Sequence, residues 1–165
     1  MQNQVVFYVF NDSEQVLTST KLEQDLVHYY ACLQAAHYYR QNKKVFIYTQ
    51  NQQQAHAIDE LLWRFDADAF VPHNLLGEGP HYGSPVEISW QAPKNRRAVL
   101  INLTTHSPDF AGQFAQVVDF VPCDENLKQL ARERFRQYRQ QGSQVNTENI
   151  TVSNVLPLLS SKITA

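Results

Sequence analysis

Val117-Val-Asp-Phe-Val-Pro-Cys-Asp-Glu-Asn-Leu-Lys-Gln-Leu-Ala-Arg-Glu-Arg-Phe-Arg-Gln-Tyr-Arg139 joins a β-branched and aromatic run to a segment of helical spacing, and the switch from one period to the other decides the fold. Residues 116–121 read as a buried strand. Asp124 is placed to cap the helix that follows, and Gly142 lies just beyond its far end. At about 100° per residue, Lys128, Arg132, Arg136 and Arg139 fall within roughly a quarter of the helix circumference, with Phe135 among them. Leu127, Leu130, Ala131 and Tyr138 share another face, the one expected to meet the core. A cationic stripe holding a ring suggests a docking surface, because the charges face water while the ring offers an apolar anchor. The same pattern also fits an ordinary solvated helix.

The alternation of strand and helix occurs twice upstream. Val5-Val-Phe-Tyr-Val-Phe10 reads as a strand, and Thr20-Lys-Leu-Glu23 as a capping box. It opens a helix in which Leu22, Leu26, Tyr29, Tyr30, Leu33 and Ala36 recur at helical spacing up to Asn42. Val45-Phe-Ile-Tyr-Thr49 repeats the strand signature, and Asn51 can cap a helix that carries Ala55, Ile58, Leu62 and Phe65 on one face. Strands separated by helices imply parallel pairing through right-handed crossovers. The expected class is therefore α/β, with a mostly parallel sheet flanked by helices. Further strands are expected at residues 69–71, 86–90 and 98–103. Residues 71–85 hold three of the five glycines and three of the seven prolines and read as one long shaped loop. Residues 1–142 form the expected domain. From Ser143 the chain is polar, with a weak apolar cluster around Pro157, so residues 143–165 read as a C-terminal extension that docks loosely or stays disordered.

A chain of 165 residues, 43% of them hydrophobic, can bury one good core. Its net charge of −2 argues against a surface that grips phosphates everywhere, while allowing a local basic patch. Cys32 and Cys123 have no pairing that spacing justifies, which suits reduced thiols in the cytoplasm. The early apolar run at residues 5–10 is too short to span a bilayer, and no signal-peptide pattern precedes it. A search for a nucleotide site fails: Gly77-Glu-Gly79 has Tyr82 where a dinucleotide fingerprint needs its third glycine, and no Gly-Lys-Ser/Thr phosphate loop is present. No cofactor is expected. His73, His81 and the group His56, Asp59 and Glu60 lack a recognised ligand spacing, so no metal is expected either. Ser84, Ser89, Ser107 and Cys123 sit in no nucleophile motif, and no catalytic residue is assigned. Trp63 and Phe70 are either core residues or, if partly exposed, an aromatic hot spot for a partner.

Several segments together resemble one family. They are Asp59-Glu-Leu-Leu-Trp63, Phe70-Val-Pro-His-Asn-Leu75, Gly77-Glu-Gly-Pro80, Gly83-Ser-Pro-Val-Glu-Ile-Ser-Trp90, and Val117-Val-Asp-Phe-Val-Pro122 followed by Leu127-Lys-Gln-Leu-Ala-Arg-Glu-Arg134. Over residues 4–142 the chain resembles the chi subunit of bacterial DNA polymerase III. The resemblance implies a single-domain, Rossmann-like three-layer fold without nucleotide chemistry. It also implies a non-enzymatic accessory role, linking the clamp loader, through the psi subunit, to the C-terminal tail of single-stranded DNA-binding protein. Such tails are acidic and end in an aliphatic-aromatic pair with a free carboxylate, so they require cations, an apolar pocket and a carboxylate clamp. By resemblance, Val121, Lys128, Arg132, Phe135 and Arg136 form that site. We assign Arg132 to the terminal carboxylate, Val121 and Phe135 to the pocket, and Lys128 and Arg136 to the acidic run. Phe135 stands where the family often has a tyrosine. The psi surface would include Trp63 and Phe70, and a repair helicase is implied as a competing partner there. The rival reading from another class is direct binding of single-stranded nucleic acid by helix 124–141; the acidic balance of the chain and the lack of an evident base-stacking platform weigh against it. An enzyme with an unrecognised site is the third.

Overall fold

Among the described residues, seven strands form one sheet: β1 (Gln4–Asn11), β2 (Val45–Tyr48), β3 (His73–Leu75), β4 (Val86–Ser89), β5 (Val99–Asn102), β6 (Gln116–Val121) and β7 (Gln144–Thr151). Their order is β3-β4-β2-β5-β6-β1-β7, and every neighbouring pair is parallel. This computed structural model describes residues 3–11, 20–65, 71–76 and 84–151, and of residues 11, 20–23 and 151 the backbone alone.

The central strands β2, β4 and β5 are short and buried on nearly every residue, as parallel strands covered on both faces must be. Helices α1 (Thr20–Arg40) and α2 (Gln52–Arg64) cover one face. There Leu26, Cys32, Ala35, Ile58 and Leu62 pack with Ile47, Val99, Val118 and Phe120. Helix α3 (Glu125–Gln140) and a 3-10 turn (Ala111–Gln113) cover the other, where Phe7, Phe46, Leu100 and Val117 meet Tyr138, Phe110 and Phe114. The result is the three-layer α/β fold expected. Asn51 and Asp124 cap their helices, accepting hydrogen bonds from the backbone N–H of Gln54 and Leu127. Ala55, Ile58, Leu62 and Phe65 are all buried. Between β4 and β2, the Arg97 guanidinium lies 2.8 Å from the buried Glu87 carboxylate and donates to the carbonyls of Val45 and Pro85, locking the N-terminal ends of those strands together.

Two stretches depart from the sequence reading. The run read as a single loop contains β3, a three-residue edge strand held on one side by β4, with flanking bonds from Val86 N–H to Pro72 O and from Leu76 N–H to Ile88 O. Of the strand expected at residues 69–71, Val71 is buried but outside any strand, and 69 and 70 lie outside the described residues. The boundary at residue 142 falls before the last strand. Gly142, at φ +92°, closes α3 in the left-handed region and turns the chain into β7, which pairs with β1 from Gln4↔Gln144 to Asn11↔Thr151. Among the described side chains of β7, Val145 and Ile150 are half-buried and the rest exposed, so a polar edge strand carries little of the apolar signal that betrays a central one. Residues 152–165 lie outside the described residues. Among the described residues, no helix is long and apolar enough to cross a membrane.

His28, buried on α1, faces α2 with its Nε2 3.0 Å from the Gln54 side-chain nitrogen, and burial pulls its pKa down to about 4. The imidazole is therefore neutral in the fold and takes up a proton on unfolding below about pH 6.5. Its contribution is intact above that pH and is lost as pH falls toward 4, by about 2–3 kcal/mol. Chemical denaturation at pH 7 and pH 4.5 tests this. The His28→Gln variant should lose about 2 kcal/mol less on acidification than the parent; equal losses would clear His28 of the effect.

Candidate protein-binding interface

Pro122 ends β6, and the Asp124 cap starts α3 two residues later. On β6 the side chains of Val117, Asp119 and Val121 alternate toward α3. Asp119 is 1% exposed, and opposite it Arg134, in the middle of the helix, is 5% exposed. The Arg134 Nε donates to Asp119 Oδ2 at 3.0 Å, and Nη2 donates to Asp119 Oδ1 at 3.1 Å and to Phe120 O at 3.0 Å. Nη1 reaches Thr105 O at 3.1 Å, on the loop after β5. The Tyr138 hydroxyl donates to Asp119 Oδ2 at 2.9 Å, and Asn102 Nδ2 donates to the same oxygen at 3.2 Å. Burial first and the Asp119 carboxylate second hold the Tyr138 phenol well above its ordinary pKa, so it stays a donor. This knot ties β5, β6 and α3 together and fixes how the helix is rotated about its axis.

The sequence reading did not find it. The expected core stripe of Leu127, Leu130, Ala131 and Tyr138 is corrected to Ala131, Arg134 and Tyr138: Leu127 is 38% exposed and Leu130 half-buried. The signal was present. At about 100° per residue, Arg134 falls between Leu130 and Tyr138, and Asp119 alternates inward with Val117.

With Arg134 held inward, the remaining cations turn out. Arg132, Arg136 and Arg139 are exposed and Lys128 half-buried, its Nζ 3.6 Å from Glu125. Arg132 Nη1 donates to Gln129 Oε1 at 3.4 Å. Phe135 is half-buried, its ring 5.5 Å from that of Phe7, and the Arg139 guanidinium stands 5.9 Å from its centroid. Phe135 and Val121 pack on one apolar cluster, with Phe7 and Tyr138 at its centre. Of the residues predicted to bind a tail, Val121 at the end of β6 and Phe135 on α3 thus share one cluster, while Arg132 and Arg136 are exposed and Lys128 half-buried on α3.

Trp63, in the last turn of α2, is 61% exposed. Its ring stands edge-on to His73 at 4.8 Å, and His73 is itself fixed by Val71 O at 2.7 Å and Asp59 Oδ1 at 3.3 Å. The tryptophan is therefore a ledge beside the β3 edge rather than core. Phe70 lies outside the described residues. β3 and β6 stand four strand spacings apart, about 19 Å, and α2 and α3 lie on opposite faces. A crevice of about 680 Å³ at the carboxyl ends of β2, β5 and β6 is lined by amides and hydroxyls such as Gln50, Gln54, Asn102 and Thr104, together with Asp25 and the already paired Asp119 and Arg134. Among the described residues, no three His, Cys, Asp or Glu side chains converge on a metal position.

A family model described as DNA polymerase III chi subunit, HolC, matches residues 2–146. The chain belongs to this chi family. It is 50% identical to DNA polymerase III subunit chi of Haemophilus influenzae over 122 residues, covering 73% of this chain and 85% of the relative. Against the Escherichia coli chi subunit the identity is 45% over 143 residues, covering 86% and 94%. For the Pseudomonas aeruginosa chi subunit it is 36% over 113 residues, covering 68% and 78%. The crystal structure of T4 UvsW superposes with a TM-score of 0.61 at 10% identity, over 92% of this chain and 42% of that one, a likeness of fold alone. The chi family model ends at residue 146, three residues into β7.

Arg134→Met leaves the Asp119 carboxylate buried without its cation and should cost about 3–5 kcal/mol in urea denaturation. Removing both charges, in Asp119→Leu/Arg134→Met, should be less damaging than the single change. A double variant no more stable than Arg134→Met would mean the penalty comes from lost packing.

Proposed function

We propose that the chain is a non-enzymatic subunit of the replicative DNA polymerase that links the clamp loader, through the psi subunit, to the acidic C-terminal tail of single-stranded DNA-binding protein. Chi-family membership supports the polymerase assignment. The observation that carries the tail assignment is the combination at α3 and the end of β6: the half-buried Phe135 and Val121 share one apolar cluster, and Arg132 and Arg136, on the same helix as Phe135, are exposed. An acidic peptide ending in an apolar pair and a carboxylate needs both parts. Arg132 takes the terminal carboxylate, Val121 and Phe135 the apolar pair, and Lys128 and Arg136 the acidic residues upstream. Trp63 and Phe70 belong to the psi surface, and a repair helicase competes for it. An exposed tryptophan braced by a histidine whose side chain is covered suits that role, because a rigid aromatic loses little freedom on binding.

A titration with an acidic tail peptide and with bare single-stranded DNA at several salt concentrations tests the assignment. The peptide should bind more tightly, and its affinity should fall with salt without vanishing, since part of the contact is apolar. Tight DNA binding without peptide binding would replace this reading with direct nucleic-acid binding. Arg132→Ala should weaken the peptide by about 1–2 kcal/mol, the worth of a charge-assisted contact; unchanged affinity would remove Arg132 from the clamp. Trp63→Ala should impair psi association in a pull-down while tail binding stays within about twofold. Loss of both activities would point instead to damage to the fold.

A further inference from the structure

α3 does not cover the whole of its face of the sheet. Parallel neighbours in register share a face, which sets Val121, Val9 and Asn149 in one row and Asp119, Phe7 and Thr147 in the next. The helix sits over β6 and β1, with Phe135 above Phe7, and at its C-terminal end it meets the start of β7, where Val145 packs on the same cluster. Beyond it Val9 is half-buried, while Thr147 and Asn149 are exposed. A shelf therefore lies open between the cationic side of α3 and the outer strand β7.

The charges around this shelf are sorted. β7 carries one carboxylate, Glu148, and alternation turns it to the opposite face. There burial first and then the charge of Glu148 raise the pKa of the Tyr38 and Tyr30 phenols. On α3, Glu133 lies on the far flank, beside Thr105 and Ser107, and Glu125 stands at the end of the shelf against Lys128. The shelf itself offers hydroxyl, amide and apolar groups, with Lys128, Arg132 and Arg139 along one wall.

We infer that the tail site continues off α3 onto β7, so that an acidic segment lies extended between the Lys128–Arg139 flank and the side chains of Thr147 and Asn149. This deepens the tail-binding reading above and rests on it. α3 is the crossover between parallel β6 and β7 and so runs back along the sheet, with Lys128 at the strands' carboxyl ends and Arg139 near their start. The eleven steps from Lys128 to Arg139 span about 16 Å, the length of about five extended residues. Arg139 gains a role that the pocket residues alone do not give it. Most of β7 lies past the end of the chi family match.

Fluorescence anisotropy with two labelled peptides tests the inference. The short one carries only the aliphatic-aromatic end with its carboxylate, and the long one adds about five acidic residues before it. Thr147→Glu and Asn149→Glu place a negative charge on exposed positions, and melting curves check that the fold is kept. Each should weaken the long peptide at least about fivefold and leave the short one within about twofold. Asn146→Glu, on the opposite face of the same strand, should leave both peptides within about twofold of the parent. The inference is overturned if either shelf variant binds the long peptide as the parent does, or if Asn146→Glu weakens it equally. A parent chain that binds neither peptide would instead overturn the tail reading itself.

Discussion

The contact between Asp119 and Arg134 governs the rest of this molecule. A buried ion pair seldom adds much net stability over a well-packed apolar pair, because both charges lose their hydration. What it supplies is position. Arg134 spends its donors on a carboxylate of β6, a carbonyl of β6 and a carbonyl after β5, while Tyr138 donates to the same carboxylate one turn further along. α3 therefore has one favourable rotation about its axis. A small turn of the helix would strand a buried cation, whereas a purely apolar stripe of leucines would tolerate it at little cost.

Everything displayed by α3 follows from that rotation. With Ala131, Arg134 and Tyr138 inward, Phe135 is brought down onto Phe7, and Lys128, Arg132 and Arg139 are swung toward the side of β1 and β7. Glu133 goes to the opposite flank. The helix reads in sequence as a mixed string of Arg and Glu, but in the fold it presents a side rich in cations and another that holds its mid-helix acid. Separation of this kind gives a surface a preferred partner sign despite a net charge of −2 for the whole chain.

Where local chemistry settles an element, the sequence reading and the structure agree. Asn51 and Asp124 are capping residues with an obvious donor three residues on, and the runs at residues 45–48 and 116–121 have one plausible state. β7 escaped because an edge strand facing water has no need of an apolar alternation, and Gln144–Thr151 has almost none. β3 escaped because three residues bonded on one side leave too short a pattern to stand out from prolines and glycines. Arg134 is the more instructive case. The sequence reading placed it in neither the core stripe nor the cationic one, yet its place on the wheel put it in the core, with the inward aspartate on the preceding strand as its counter-charge. Periodicity should have outranked polarity there. For the candidate site, the sequence supplied the cations and the ring, while the half-burial of Val121 and Phe135 on one cluster, and the exposure of Trp63, could come only from packing.

The placement of the two surfaces bears on the linking role proposed above. Trp63 stands on α2 near the β3 edge, and the α3 surface lies four strand spacings away on the other face. Between them is a parallel sheet whose central strands are buried on both sides, with Glu87 and Arg97 clamping β4 to β2 and Asp119 and Arg134 clamping β6 to α3. Coupling between sites requires a bistable element that both can bias, and buried parallel strands clamped by ion pairs are poorly suited to be one. On the proposed reading, the two partners are joined by distance and rigidity alone. Their binding energies should then add, and any gain on a DNA strand coated with many tails would come from raised local concentration rather than from a change of shape in this chain.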